Sequence, residues 1–143
     1  MATQPRTVII RAVSAEETYA LRQAVLWPAK PLAHVRIAED AMGHHFGAFV
    51  GTELVAVVSL FVTNGEARFR KFATHPAYQR QGIGSALLKY TFGAARRLGA
   101  RSIWCDARQE AAPFYHRFGL HEVGAPFVKS ELAYVRMQAV LTS

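Results

Sequence analysis

The sequence has little cysteine, few acidic residues and no long apolar run. Cys105 is the single cysteine among 143 residues, so no internal disulfide is expected. The longest mainly apolar stretch, Leu54 to Val62, is far shorter than the roughly 20 residues of a membrane-spanning helix. The first residues, "MATQPRT", lack the apolar core of a secretory signal. We therefore expect a cytoplasmic protein, and the sequence predicts no metal site.

Acidic residues number 10 against 17 Lys and Arg, which gives a formal net charge of +7. Such a charge suits a solvated surface with a high isoelectric point, nucleic acid, an acidic membrane or a small polyanionic ligand. Basic residues between Arg68 and Arg108 are scattered, without the Lys/Arg block of a chain that tracks a duplex. We therefore predict no nucleic-acid partner and no membrane partner, and favour a small polyanion.

The composition is that of one folded domain. Hydrophobic residues make up 51% and charged residues 19%, and 143 residues suit a single domain, 1–143. The alternation of apolar runs, helical periodicity and turn residues predicts the order β-α-β-β-β-α-β-α-β-β. This order indicates an α/β (α+β) fold, with a mixed sheet and helices packed on it.

Local signals define several of these elements. Ser14 and Glu17 form a capping box for a helix over 15–26. Asn64–Gly65 predicts a hairpin turn between strands 54–62 and 66–74. Beyond a second helix that Gly99 ends, the pattern predicts a strand over 101–107, a helix over 110–118 and strands over 120–123 and 133–141.

Two glycines, Gly82 and Gly84, stand where the second helix begins. Glycine lets another group approach the backbone closely, and the first N–H groups of a helix attract an anion. A phosphate is the natural ligand for such a place. Leu87 occupies the position of the third small residue of the dinucleotide fingerprint, and the sequence contains no P-loop motif.

The stretch "QRQGIG", residues 79–84, followed by "SALL", resembles the Q/R-x-x-G-x-G/A signature of the GNAT family of N-acetyltransferases. The preceding "RKFATHPAYQ" and the later "CDARQEAAPFYHRFGLHEVG" are similar to the family's flanking segments. The chain also resembles the small stand-alone bacterial members. This resemblance implies a mostly antiparallel sheet of six to seven strands, helices on both faces, and strands that splay at the cofactor cleft.

The resemblance implies acetyl-CoA (coenzyme A) as the cofactor. Backbone N–H groups of the glycine loop would bind the pyrophosphate, and Arg80 would add a charge-assisted contact. Backbone groups of Phe72 and Thr74 would pair with the pantetheine arm. The predicted cofactor-binding residues are Phe72, Thr74, Arg80, Gln81, Gly82, Ile83, Gly84, Ser85 and Asp106.

Asp106 stands where the family has Asn, and a carboxylate cannot donate to a pantetheine carbonyl as an amide can. It would instead hold a water, accept from the pantetheine amide or transfer a proton, unless it caps the following helix. Tyr115 matches the family tyrosine that faces the CoA sulfur and is the predicted catalytic acid. The ordinary pKa values of a thiol, about 8.5, and a tyrosine, about 10, make that proton transfer nearly balanced. The alternative is a core tyrosine.

The resemblance implies an acetyl-CoA-dependent N-acetyltransferase that acts on a primary amine of a small molecule, amino acid or peptide by direct attack. The general base stays open between His45, Asp106 and an ordered water. Arg70, with Arg68 on the same strand face, suits an acceptor carboxylate unless both are solvated charges. The alternative function is a non-catalytic acyl-CoA-binding sensor or interaction module. The sequence leaves a homodimer open and does not identify the acceptor.

Overall fold

A computed structural model describes residues 7–141 of the chain. None of its helices there is long and apolar enough to cross a membrane. The prediction about a secretory signal falls on residues 1–6, outside the described part. The main elements are β1 (Val8–Val13), α1 (Ala15–Leu21), β2 (His44–Val50), β3 (Glu53–Thr63), β4 (Glu66–Thr74), α2 (Ile83–Arg97), β5 (Ser102–Arg108), α3 (Ala112–His116), β6 (His121–Lys129) and β7 (Leu132–Val140).

Across residues 7–141 the strands form one seven-stranded sheet in the order β1-β2-β3-β4-β5-β7-β6. The pairs β1–β2, β2–β3, β5–β7 and β6–β7 are antiparallel, whereas β4 and β5 run parallel. β4 pairs with β5 from Glu66↔Ser102 to Arg68↔Trp104, while β5 continues along β7 to Arg108↔Tyr134. The predicted mixed, mostly antiparallel sheet is confirmed.

Local signals in the sequence place the first helix and the first hairpin correctly. Ser14 Oγ accepts from the Glu17 N–H at 3.1 Å, and the Glu17 carboxylate accepts from the Ser14 N–H at 2.9 Å, which closes the predicted capping box. Asn64 and Gly65 have φ of +52° and +76°. Positive φ at both central residues is the mark of a type I′ turn, and this turn joins β3 to β4.

The fold divides into two units by its internal contacts. The first takes the described residues up to Leu60 together with Lys71–Thr91, and Leu21, Val57 and Ala73 pack together in its core. The second takes Phe61–Arg70 and the described residues from Phe92 onward. In this unit the ring of Phe92 lies 6.3 Å from the rings of both Phe69 and Phe118. The prediction of a single domain over 1–143 stays a prediction.

The largest difference from the predicted elements lies near the C-terminus. The strand predicted over 120–123 extends through Pro126 to Lys129, and its register with β7 shifts between Val123 and Phe127. Gly124, with φ of +79°, lies inside that bulge. Every residue of β6 is exposed, and β6 is the outermost strand on its side of the sheet. An exposed edge strand tolerates proline. The sequence pattern treats glycine and proline as turn signals and therefore predicts that this strand ends too early.

Candidate active site

The first unit holds the glycine loop against the end of β4. A Cβ atom built on Gly84 would lie 3.3 Å from both Phe72 Cζ and Thr74 Oγ1. These distances are tighter than most real Cβ contacts, so a side chain at this position would require Phe72 or Thr74 to shift by a few tenths of an ångström. The structure thus brings together three residues that the sequence predicts to bind the donor.

The start of α2 presents a set of backbone donors. The N–H of Ala86 makes the first bond of the helix, to the Gly82 carbonyl at 3.0 Å. The N–H groups of Ile83, Gly84 and Ser85 precede it and have no carbonyl within the helix to bind. Ile83 is buried and anchors the turn, whereas Gln81 and Gly82 are exposed. Such a turn is a seat for an anionic group.

The loop before α2 has the backbone shape of an anion cradle. Gly82 has φ of +80°, and apart from its own chain neighbours no described residue has a heavy atom within 4 Å of a Cβ built there. Arg80 also has positive φ, +63°, which is costly for a residue with a side chain. Two side-chain hydrogen bonds within the loop stabilise it. Gln79 Nε2 donates to the Thr74 carbonyl at 3.0 Å. Gln81 Nε2 donates likewise to the Ala77 carbonyl at 3.2 Å.

Lys71, in β4 immediately before Phe72, has φ of +56°. A left-handed residue inside a strand costs on the order of 1–3 kcal/mol, and such residues cluster at functional sites. Its ammonium lies 4.1 Å from the ring centroid of Trp27, a cation–π distance. The sequence "EARFRKFAT" does not indicate this conformation, since lysine rarely adopts positive φ.

The second unit places Tyr115 on α3 in an aromatic environment. Its ring centroid lies 5.8 Å from that of Phe69 on β4 and 5.2 Å from that of Phe114. Burial raises the pKa of Tyr115 above its ordinary value, and the neighbouring Cys105 adds to the rise. The phenol therefore stays protonated at neutral pH, but its proton transfer to a thiolate is less balanced than ordinary pKa values predict.

Asp106 lies within β5, where its carboxylate accepts from two guanidinium groups. Arg68 Nη2 lies 3.2 Å from Oδ2, and Arg136 Nε lies 3.2 Å from Oδ1. Both guanidinium carbons also lie over the ring of Trp104, Arg68 at 4.3 Å and Arg136 at 3.9 Å from its centroid. The alternative of a helix cap is wrong, because β5 continues to Arg108 before the next helical turn begins.

His45 belongs to a buried polar network in the first unit. Its Nε2 lies 2.9 Å from the carbonyl oxygen of Asp40, which can only accept, so Nε2 carries the proton. Its Nδ1 then accepts from the hydroxyl of Ser59 at 2.7 Å. Because the Nδ1 lone pair already accepts from Ser59, the ring has no lone pair left to take a proton from an amine. The strand that carries His45, β2, also lies inside the sheet between β1 and β3. We therefore do not retain His45 as a base.

The centre of that network is Arg22, which is fully buried. It binds both carboxylate oxygens of Asp40 at 2.9 Å, the Val35 carbonyl at 3.0 Å and Ser59 Oγ at 2.8 Å. Burial alone would raise the pKa of Asp40, but the hydrogen bonds from Arg22 and the Ile37 N–H hold that pKa below its ordinary value. The network ties the irregular segment between α1 and β2 to β3.

A sequence profile described as an acetyltransferase (GNAT) domain matches residues 15–141. The uncharacterized N-acetyltransferase YitI of Bacillus subtilis (strain 168) is 31% identical over 127 residues, which cover 82% of this chain and 85% of that protein. The chain belongs to the GNAT acetyltransferase family. Membership makes the protein an N-acetyltransferase, with acetyl-CoA as the cofactor that the family uses.

Solved structures of GNAT acetyltransferases have the same fold. The structure of an N-acetyltransferase from Lactobacillus plantarum has a TM-score of 0.84 at 21% identity and covers 97% of this chain and 100% of its own. A GNAT acetyltransferase from Elizabethkingia anophelis, solved with acetyl-CoA bound, has a TM-score of 0.75 at 16% identity and covers 94% of this chain and 98% of its own. At these identities the likeness concerns the fold alone.

The glycine loop of this GNAT domain fits the pyrophosphate of a CoA donor. The space beside Gly82 would be filled by a Cβ atom, and the neighbouring N–H groups supply donors without a buried lysine. Sequence reasoning missed Arg136, which joins Asp106. The alternation of polar and buried residues in "AYVRMQAV" could have placed Arg136 on the exposed face of β7, but not its register with β5.

Proposed function

We propose that the protein transfers an acetyl group from acetyl-CoA to a primary amine of a small molecule, an amino acid or a peptide by direct attack. Bound acetyl-CoA would supply a thioester, from which the amine takes the acetyl group as a C–N bond forms, the C–S bond breaks and a thiolate leaves. Burial, with the Asp106 charge beside it, raises the pKa of Cys105 to about 12. The buried thiol is therefore a poor nucleophile, which supports a route without an acyl-enzyme.

The single observation that carries the donor assignment is the loop at the start of α2. We propose that the N–H groups of Gln81 to Ser85 bind the pyrophosphate, with Arg80 adding its charge. The backbone of Phe72 and Thr74 would pair with the pantetheine arm as an added strand does. The acetyl-CoA bound in the related structure from Elizabethkingia anophelis supports this choice of donor.

We propose Tyr115 as the acid that protonates the departing thiolate. Its raised pKa keeps the proton on the phenol until the thiolate forms, and Phe69 and Phe114 shield it on two sides. The amine must also lose a proton. With His45 engaged by Ser59 and Asp106 by two arginines, an ordered water is the candidate that remains for the base. Asp106 is therefore left out of the proposed donor contacts.

The test compares two glycines that share a backbone conformation. Gly82 and Gly99 have φ of +80° and +86°, and apart from their own chain neighbours no described residue has a heavy atom within 4 Å of a Cβ at either position. Gly82→Ala and Gly99→Ala should lower the melting temperature by similar amounts because both force a side chain into positive φ. By calorimetry, only Gly82→Ala should weaken acetyl-CoA binding, at least tenfold. Equal acetyl-CoA affinity in the two variants would contradict the assignment of this loop as the pyrophosphate-binding site.

Turnover is tested by thiol release from acetyl-CoA with a panel of primary amines. Tight acetyl-CoA binding with no thiol release above background for any amine would favour the non-catalytic acyl-CoA-binding module. A cytoplasmic location and a homodimer remain predictions.

A further inference from the structure

The two faces of β5 differ in the second unit. Ile103, Cys105 and Ala107 are buried, whereas Trp104 and Asp106 are partly exposed. Tyr115 belongs to the buried side, because it contacts the buried Phe69 and is influenced by Cys105. Trp104 and Asp106 therefore mark the face of β5 that a molecule from solvent can reach.

Arg136 is held in place on this half-exposed face. Only its Nε donates to Asp106, and none of the described residues bonds its two terminal nitrogens. The guanidinium lies 3.9 Å above the Trp104 ring centroid, and the side chain is 49% exposed. Stacking and the ion pair together restrain the orientation of the group, and the edge of the guanidinium formed by its two terminal nitrogens has no partner among the described residues.

We propose that Arg136 binds a carboxylate of the acceptor, so that the acetylated amine belongs to an amino acid or a short peptide with a free carboxyl group. The inference rests on the proposed function and names its substrate class. Arg68 stacks over the same indole and supports the local positive potential. Arg136 itself is the group that contacts the acceptor.

A carboxylate matches this place in charge and in shape. Arg68 and Arg136 both bind the carboxylate of Asp106, and Arg136 keeps its two terminal nitrogens for a further anion. Two parallel N–H donors of a guanidinium match the two oxygens of a planar carboxylate.

Asp106 acts as a positioning residue for Arg136, and Asp106→Asn tests that role. Asparagine keeps the size of the side chain and removes the charge that orders both arginines. The KM for free-acid acceptors should rise at least fivefold, with kcat and the acetyl-CoA dissociation constant unchanged. Tighter acetyl-CoA binding with unchanged acceptor KM would overturn this role, since it would show that position 106 contacts the pantetheine arm instead.

The main experiment offers each acceptor twice, as a free acid and as its carboxamide, in thiol-release assays with amino acids and dipeptides. The native protein should prefer the acid at least tenfold in kcat/KM. Arg136→Met should bring the ratio near one by raising the KM of the acid while leaving the amide within twofold. Arg101→Met, which removes a similar charge at the far end of β5, should keep the preference. Equal rates for acid and amide in every pair, or a preference that survives Arg136→Met, would overturn the proposal.

A binding measurement separates this proposal from the proposed function. In the Trp27→Phe variant, Trp104 is the remaining indole of a chain with 2 tryptophans, so its fluorescence reports on the stacked guanidinium. N-acetylated amino acids should quench or shift this fluorescence saturably, their amides should not, and Arg136→Met should abolish the response. That result would support the carboxylate site even if no amine releases thiol. An identical response to acids and amides, or none to either, would overturn it.

Discussion

At the scale of single residues, the proposal for Tyr115 is the most specific, because it assigns one chemical step, protonation of the departing thiolate, to one hydroxyl group. Its raised pKa has two opposite effects on that step. The proton stays on the phenol throughout the physiological range, which favours a donor, but the phenol is a weaker acid than free tyrosine. A proton can still pass to a thiolate that forms in the same shielded environment.

Tyr115→Phe should lower the single-turnover rate about 100-fold, because it removes the acid and keeps the ring. Acetyl-CoA affinity should stay the same. The pH profile of the native protein should show no loss of activity below pH 9 from ionisation of this tyrosine, since its pKa is raised. Tyr134→Phe, at a ring that stacks on Phe127, serves as the control. An unchanged single-turnover rate in Tyr115→Phe from pH 6 to 9 would contradict the assignment.

Motif spacing was enough to name some candidate residues, but not to find the contacts that other candidates make. Gly82, Gly84 and Tyr115 belong to motifs with fixed spacing, so the sequence was enough to single them out. The engagement of Asp106 by Arg68 and Arg136 depends on how β4, β5 and β7 align, and no local pattern encodes that alignment. His45 became a candidate base through its place on a strand, while its partners, Ser59 and Asp40, come from distant segments.

At the scale of elements, predictions succeeded where one local signal dominates. The capping box begins α1 at the expected place, and Asn64–Gly65 turns β3 into β4. They failed where turn residues lie inside regular structure. Gly124 and Pro126 are typical turn residues, so the pattern predicted a β6 that is too short. Residues Gln109–Ala111 form a 3-10 turn, so α3 is shorter than the predicted helix.

The segment between α1 and β2 depends on a buried ion pair. Arg22→Met would leave the Asp40 carboxylate buried without its main partner, so unfolding free energy should fall by about 3–5 kcal/mol. Arg11→Met removes an exposed pair with Glu17 at 4.0 Å and should cost less than about 1 kcal/mol. Urea unfolding at pH 7 measures both. Similar small losses in the two variants would show that the network is not needed for stability.

Acid should weaken the same pair. Because the folded pKa of Asp40 lies below its ordinary value of 3.8, the pair stabilises the fold above that pH and loses its effect as pH falls through the folded pKa. The native protein should therefore lose more stability between pH 5 and pH 3 than Arg22→Met does. Parallel pH curves for the two proteins would contradict this linkage.

At the scale of the whole molecule, the net charge of +7 comes without the Lys/Arg block of a chain that tracks a duplex, and several arginines are engaged by carboxylates. Arg22 is fully buried against Asp40, and Arg68 and Arg136 share the carboxylate of Asp106. A random 20-base-pair DNA at physiological salt should bind no more tightly than about 10⁻⁴ to 10⁻⁶ M, the range of non-specific association. Fluorescence anisotropy measures this. Nanomolar binding that depends on the DNA sequence would contradict it.

The bulged outer strand also affects how the protein behaves when it is concentrated. A regular edge strand offers an unbroken row of N–H and C=O groups, and a strand of another molecule can pair with that row and start a fibril. In β6 the register shift at Val123 to Phe127, the left-handed Gly124 and the missing N–H of Pro126 interrupt that row midway. Sheet-to-sheet growth through this edge is thereby blocked at its centre, although Val123 and Val128 on β6 stay open to solvent.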